Sequence, residues 1–348
     1  MVLFTIFLFK FNYNSENSVR LTYKLFFLMI TRIFVFAILS TIAQSFSLIR
    51  FRNAFNHHRL ENIRRNGKLS SQKASTAAIV DKDEYKVFKN LQSDMFSHPL
   101  DKQITRQLSN IPFVANVVRR SLSTVENTFV INNLESTIRI SSNQMPRLYE
   151  SLSKACSILN FKVPPELYVK QNPIPNAYTL AIDGRRPFIV IHTGLLDLLT
   201  PEEIEAVIGH ELGHLKCEHG VWMSLLNLST ELLDITAGPL VSIPLRRLLL
   251  QWQRAAEFTC DRAALLVCQD YKVVASVIMK LCGGTSSKSK FNEELNVDTF
   301  LSQAEELEKE RKGSISGRLY DTVNSGVATH PTPLLRATEI KNWSKSAE

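Results

Sequence analysis

Apolar positions spaced three and four apart mark most of this chain as helical, and one interval breaks that rhythm. Met145, Leu148, Tyr149, Leu152, Ala155 and Leu159 line one helical face, and Tyr85, Val87, Phe88 and Leu91 form a shorter stripe of the same kind. Between 164 and 195 the period changes. Glu166–Lys170, Ala177–Ile182 and Pro187–His192 are short, β-branched and aromatic-rich, with Pro-Asn and Asp-Gly dipeptides between them. Asp183-Gly184 suits a tight hairpin turn between the last two strands. A helix then opens on Thr200 as N-cap, Pro201 at the first helical position and Glu203 completing a capping box, and it carries Ile204, Val207, Ile208, Leu212 and Leu215 towards Gly220. The next stretch, Val221–Leu250, is apolar but holds Glu231 and Asp234 and is interrupted by Gly238-Pro239 and Pro244. It reads as two short hydrophobic helices, a core or interfacial hairpin rather than a membrane span. Further helices are expected over about 248–269, over 273–282 with Gly283-Gly284 as the stop, and over 300–311 as a charged, solvated helix. The fold class expected is α+β, mostly helical, with a small antiparallel sheet beside the 200–220 helix.

Charge redraws the N-terminal part. The chain carries a net +8, yet residues 1–80 hold eleven Lys or Arg against two acids, which leaves the remainder near −1. The basic balance therefore belongs to the leading segment, and the folded body is not expected to bind nucleic acid. Leu25–Ala43 is apolar except for Arg32 and long enough to span a bilayer, whereas about Ser45–Val80 is basic, Ser-containing and nearly acid-free, as transit peptides are. Two readings stand: an organelle transit peptide, or an N-terminal hydrophobic anchor followed by a linker. The five cysteines, Cys156, Cys217, Cys260, Cys268 and Cys282, are odd in number and form no Cys-x-x-Cys pair, which favours small buried thiols in a reducing compartment.

The chemistry lies in Ile208-Gly-His-Glu-Leu-Gly-His-Leu-Lys216. Residues four apart share a helix face, so His210 and His214 can direct two imidazoles at one metal ion. Glu211, about 100° round the helix, can reach a water activated by that ion and take its proton. A random match to His-Glu-x-x-His in a chain of this composition is on the order of one in a hundred. An extended pattern with a third histidine is excluded, because Cys217 and Gly220 stand where its Gly and His would be. His219, one residue out of register, reads as a helix C-terminal histidine favoured by the dipole. A third ligand is found instead in Arg254-Ala-Ala-Glu-Phe-Thr-Cys-Asp261: Glu257 can ligate, and Asp261, four residues on, can accept the other N–H of a ligand imidazole. One Zn2+ per chain, with an open position for solvent, is the expected cofactor.

These segments, with Asn176-Ala-Tyr178, Ile189-Val-Ile-His-Thr-Gly194 and Thr329-His-Pro331 followed by Arg336, resemble the HtpX and CAAX-prenyl-protease family of gluzincin metallopeptidases, over about residues 85–340. Within it the arrangement is most similar to plant plastid members associated with plastoglobules. The resemblance implies a zincin-like fold with His210, His214 and Glu257 as zinc ligands, Glu211 as general base and Asp261 behind the ligands. It further implies that His330 stabilises the oxyanion, that Arg336 supports it, and that Asn176-Ala177 belong to an edge strand holding an extended peptide. Composition and periodicity divide the chain into a targeting segment (1–80), a helical subdomain (81–160) and a metallopeptidase domain (161–345). The interval between motif helix and third ligand is shorter and more acidic than the membrane-spanning interval of HtpX-like members, and no Gly-x-Met-x-Asn aminopeptidase motif occurs. The expectation is an endopeptidase acting on protein or peptide substrates in a plastid, at a plastoglobule or thylakoid, with a lipid surface as a further contact. A mitochondrion or endomembrane is the alternative location, and a catalytically weak zinc-bound scaffold the alternative function. Nothing in the sequence defines an oligomeric state.

Overall fold

The computed structural model describes residues 78–81, 85–109, 135–181, 186–286, 289–314 and 330–346. The hydrophobic stretch Leu25–Ala43, nearly all of the basic stretch after it, the Asp183-Gly184 turn and Thr329 lie outside the described residues. The elements, in order, are β1 (Ala78–Asp81), β2 (Lys86–Lys89), α1 (Ser93–Phe96), α2 (Pro99–Ser109), β3 (Thr137–Arg139), α3 (Pro146–Ile158), β4 (Glu166–Lys170), β5 (Ala177–Leu180), β6 (Phe188–His192), α4 (Thr193–Leu198), α5 (Pro201–Lys216), α6 (His219–Ala237), α7 (Pro239–Cys268), α8 (Tyr271–Gly283), α9 (Lys290–Glu293), α10 (Val297–Gly313) and α11 (Pro333–Ser344). The architecture is mostly helical with a small sheet. Contacts divide the chain into two units, Met1–Ser75 with Leu228–Ser242, and Thr76–Asn227 with Ile243–Glu348.

In the larger unit the sheet has the order β3-β4-β6-β5. It is mixed rather than wholly antiparallel: β5 runs antiparallel to β6, but β4 and β6 are parallel, with Leu167 beside Ile189 and Val169 beside Ile191. The reason is burial. All five residues of β6 are buried while β5 is half-exposed throughout. A strand apolar on both faces takes the centre of a sheet, so β6 enters between its two predecessors and leaves β5 at the edge. The stripe at 85–91 is likewise not helical. Lys86–Lys89 pairs antiparallel with Ala78–Asp81, and alternation serves it there, with Val87 buried and Lys86 exposed. The core gathers Leu152, Ala155 and Ile158 of α3, Leu167, Val169, Ile189 and Ile191 of one sheet face, and Ile204, Ile208 and Leu212 of α5. Tyr168, Phe188 and Val190 pack on the other face. All five cysteines are free thiols.

Helix α5 starts where expected: Thr200 accepts from the Glu203 amide and Glu203 from the Thr200 amide, completing the capping box. Glu203 is also buried against Lys280 of α8 at 2.8 Å, which ties the motif helix to its neighbour. The break between α6 and α7 falls at Gly238, whose φ of +87° suits glycine. Pro244 makes no second break. It sits early in the 30-residue α7, where it removes one backbone bond to residue 240. The buried series Leu245, Leu248, Trp252, Ala256 continues past it unbroken. In the smaller unit, Ser242 Oγ donates to Asp234 and to the Pro239 carbonyl, while Ile235, Leu240 and Val241 are exposed. No helix among the described residues is long and apolar enough to cross a membrane.

Candidate metal centre and catalytic cleft

Two glycines let α5 lie directly on α7. A Cβ at Gly209 would stand 2.9 Å from Val267 Cγ2 and 3.0 Å from Ala264 Cα; one at Gly213 would stand 2.9 Å from Ala263 Cβ and 3.0 Å from Cys260 Cα. Each glycine gives up about 1 kcal/mol of helix propensity, and in return the two backbones approach closely enough for short side chains to meet. His210 and His214 leave α5 on the face between and beside these glycines, opposite Glu257 and Asp261 of α7.

His210 Nε2 is 3.6 Å from Glu257 Oε2, and His214 Nε2 is 3.5 Å from Glu257 Oε1. Both separations are long for hydrogen bonds. They match the edge of roughly 3.3 Å expected between ligands that each lie about 2 Å from one tetrahedral ion. The residues present therefore fit a zinc-like ion bound by two imidazoles and one carboxylate. Burial alone would raise the Glu257 carboxyl pKa. The surrounding His214, His330, His210 and Arg336 side chains hold it well below its ordinary value. A different trio, His210, His214 and Cys260, has donor atoms that all lie within 4.8 Å of one another. Burial pushes the Cys260 thiol well above its ordinary value, and its Sγ also stands 3.7 Å from His219 Nδ1; Glu257, with one oxygen near each Nε2, is the candidate third donor.

The remaining expected residues surround this cluster. Asp261 Oδ1 lies 3.1 Å from His210 Nδ1, so the imidazole donates there and turns an unprotonated Nε2 towards Glu257. Arg336 of α11 grips Asp261 bidentately, Nε to Oδ2 at 2.8 Å and Nη2 to Oδ1 at 2.6 Å, and its Nη1 stands 3.5 Å from Glu257. Burial would raise the Asp261 pKa, but the Arg336 charge and hydrogen bonds, followed by those of His210, keep it below its ordinary value. His330 approaches Glu257 Oε2 at 3.3 Å through Nδ1, with a side chain 68% exposed at the cleft. Glu211 is buried, and burial raises its pKa against the opposing pull of His214 and His210.

All of these side chains line one cleft of about 560 Å³, together with Asn176–Thr179 of the edge strand. Its lining also includes the apolar Val207, Val274, Val277, Ile278 and Leu281. Asn176 is anchored from behind, its carbonyl accepting from the His192 amide at 2.9 Å. His192 Nδ1 meets the Ile174 carbonyl at 3.1 Å. With β6 on one side of β5 and the cleft on the other, the strand offers its outer edge to the cleft.

His219 is placed otherwise than its position in the sequence implied. Helix α5 ends at Lys216, and Glu218, left-handed at φ +54°, redirects the chain so that His219 opens α6 with its side chain wholly buried. Its Nδ1 is 3.1 Å from His214 Nδ1, and its Nε2 is 3.0 Å from Asp101 Oδ2. Asp101, on α2, also accepts from Trp252 Nε1 at 2.8 Å, Thr259 Oγ1 at 2.6 Å and Thr105 Oγ1 at 3.1 Å. The spacing of His219 from the motif was the only available signal, and Asp101 had none.

This docking of α2 makes the fold acid-sensitive. Burial, then the Arg262 charge, lowers the His98 pKa to about 4, and its Nδ1 accepts from the Leu100 amide. The unfolded chain takes up that proton first. Stability is thus lost as pH falls from about 6.5 to 4, by about 2 kcal/mol after allowance for partial exposure. The Asp101 pKa is held at about 2 against burial, chiefly by the hydrogen bond from His219, with those from Thr259 and Trp252. Its contribution is present above pH 4 and lost between 4 and 2. Urea unfolding of metal-free protein at pH 7, 5 and 4 should show a smaller decline for His98→Gln than for wild type; parallel declines would refute the assignment.

Two imidazoles and a carboxylate thus converge beside a second buried carboxylate and an edge strand, a setting that suits a metal-dependent peptide hydrolase. The model of Peptidase family M48 matches residues 142–344, more than half of the chain, and the chain belongs to that family. It is 46% identical over 265 residues to the plastoglobule-localized metallopeptidase 48, chloroplastic, of Arabidopsis thaliana, covering 75% of this chain and 76% of that one. It is 26% identical over 174 residues to protease HtpX homolog 2 of Methanosarcina mazei, covering 41% and 58%. Among solved structures it is similar to S. mikatae Ste24p, with a TM-score of 0.41 and 16% identity over 68% of this chain and 57% of that one. The protein is a metalloprotease, a hydrolase acting on protein or peptide substrates.

Proposed function

We propose that the chain is a zinc-dependent endopeptidase in which His210, His214 and Glu257 hold one ion and Glu211 is the general base. The observation that carries this is the convergence of both Nε2 atoms on the two oxygens of Glu257 at 3.5 and 3.6 Å. Bound zinc would act as a Lewis acid, polarising the scissile carbonyl and acidifying the attacking water. Glu211, buried beside that position, takes the proton from the water and returns it to the leaving amide nitrogen. His330 donates an N–H to the carbonyl oxygen as negative charge gathers on it. Arg336 keeps Asp261 ionised, and Asp261 keeps the His210 Nδ1 protonated and its Nε2 available. The peptide lies extended along the outer edge of β5, where Ala177 offers backbone groups and Asn176 a side chain at the cleft. The apolar part of the cleft lining then takes a hydrophobic side chain near the scissile bond.

Purified full-length protein should contain one zinc per chain and cleave casein. A chelator should abolish cleavage and added zinc restore it. Cleavage that persists after complete metal removal would overturn the reading.

We assign residues 1–80 to a targeting segment whose last residues, Ala78–Val80, enter β1, 81–160 to a helical subdomain and 161–345 to the catalytic domain. The location is a plastid, in keeping with the relative named for its plastoglobule. The exposed Ile235, Leu240 and Val241 of the smaller unit supply an apolar tip suited to a lipid surface. A fluorescent fusion of the full chain, followed by flotation of plastid lipid fractions, tests both. Signal outside plastids overturns the targeting, and absence from the floating fraction overturns the lipid contact.

A further inference from the structure

The two histidines of the motif differ in what stands behind them. Behind His210 is a carboxylate, Asp261, in direct contact. Behind His214 is another imidazole, and only behind that a carboxylate. The direction of every hydrogen bond along this second path can be worked out from the donors at its far end.

Asp101 is almost wholly buried, at 1% exposure. Its oxygens face Trp252 Nε1 and Thr105 Oγ1 on Oδ1, and Thr259 Oγ1 and His219 Nε2 on Oδ2. An indole N–H can only donate, and Asp101 as an ionised carboxylate can only accept. Thr259 Oγ1 itself receives the His98 amide at 2.9 Å. A carboxylate so surrounded accepts a hydrogen bond from His219 Nε2–H. The His219 ring is then a neutral imidazole whose Nδ1 carries a lone pair, so the 3.1 Å contact with His214 is a bond in which His214 Nδ1–H donates. As a metal ligand His214 is neutral, so its lone pair then lies on Nε2, the atom directed at Glu257. The Cys260 thiol, 3.7 Å from His219 Nδ1, is the other polar contact at that nitrogen. The rings of His214 and His219 stand edge to face at 77°, as do those of His219 and Trp252 at 85°. The path therefore fixes ring planes as well as protons.

Asp101, Cys217 and His219 also have donor atoms within 4.8 Å of one another and could be taken for a second metal site. The geometry argues against it. Asp101 and His219 already face each other at hydrogen-bond distance, and the carboxylate has its full complement of donors.

We propose that Asp101 and His219 are positioning residues for the metal centre: the Asp101 carboxylate, acting through His219, sets the tautomer and ring orientation of His214. Asp101 lies upstream of the 142–344 segment that matches the family model. The helical subdomain is thereby made part of the metal site, through a contact spanning 118 residues of sequence. The inference rests on His214 being a metal ligand.

The test measures zinc affinity of the full-length protein by competition with a chromophoric chelator, and the visible absorption of the cobalt-substituted form. His219→Phe keeps a planar ring but ends the path; it should weaken zinc binding 10- to 100-fold and shift the cobalt bands. In His219→Gln the amide oxygen can accept from His214 and the amide N–H can donate to Asp101, so affinity and spectrum should return towards wild type. Should the phenylalanine variant fail to fold, imidazole 15N spectra of zinc-loaded wild type decide. His219 should carry its proton on Nε2 alone and His214 on Nδ1. A folded His219→Phe variant with wild-type affinity and spectrum, equal weakening in both variants, or a His219 protonated at Nδ1 would overturn this inference alone. A wild-type chain that takes up no zinc would overturn the reading of the centre with it.

Discussion

Glu211→Gln should lower casein cleavage by about 100-fold or more while one zinc per chain stays bound. The magnitude follows from what is removed. General-base catalysis contributes about 10²- to 10⁴-fold, and the amide keeps the size and shape of the carboxyl without its basicity. The fold should not suffer. Glu211 is buried, and burial is the first of the forces on its pKa, opposing the charged form; a neutral side chain removes that opposition. Thermal unfolding should therefore be unchanged or slightly raised. Neither ligand histidine is altered, so metal content isolates the chemical step from binding. Cleavage at the wild-type rate by the metal-loaded variant would show that some other group takes the proton. Loss of zinc together with activity would make Glu211 a ligand and not a base.

How much of this was legible in the sequence depended on the range of the interaction. Within one helix, spacing and geometry are the same thing: His210 and His214 share a face because they are four apart, and the Thr200–Glu203 capping box forms from residues three apart. Glu257 could be named because its own helix carries Asp261 four residues on. The β-sheet was legible as strands but not as an order, since the central place of β6 follows from burial on both faces, a property of its neighbours. The stripe at Tyr85–Leu91 fitted a helical period over too few residues to exclude a strand, and its pairing with Ala78–Asp81 decided the matter. Gly209 and Gly213 were visible as letters in the motif. Their use, sparing a Cβ that would stand 3.0 Å from the α7 backbone, required knowing which helix lay opposite. His219 was misread for a related reason. Its place at the start of α6 depends on the left-handed backbone at Glu218, and its partner Asp101 lies on an element with no local mark of the site.

The second large effect concerns Asp261, where stability and metal binding should come apart. Asp261→Leu removes the carboxylate that both accepts from His210 and pairs with Arg336. Breaking a buried ion pair by deleting one partner costs about 3–5 kcal/mol. The Arg336 side chain is 17% exposed and has Glu257 within 3.5 Å, so a loss of about 2–3 kcal/mol is expected once that retreat is allowed for. The retreat has its own consequence, because a guanidinium that moves onto Glu257 competes with the ion for its third ligand. With the His210 tautomer also released, zinc affinity should fall by at least 10- to 100-fold. The double variant Asp261→Leu with Arg336→Leu separates the two effects. Replacing both partners by apolar groups leaves no uncompensated charge, so urea unfolding should recover most of the lost stability. Zinc affinity should stay low, since His210 still lacks its acceptor. A double variant no more stable than the single one would mean that Asp261 and Arg336 are not energetically coupled. Recovery of affinity along with stability would mean that the freed guanidinium, and not the missing acceptor behind His210, was what kept the metal out.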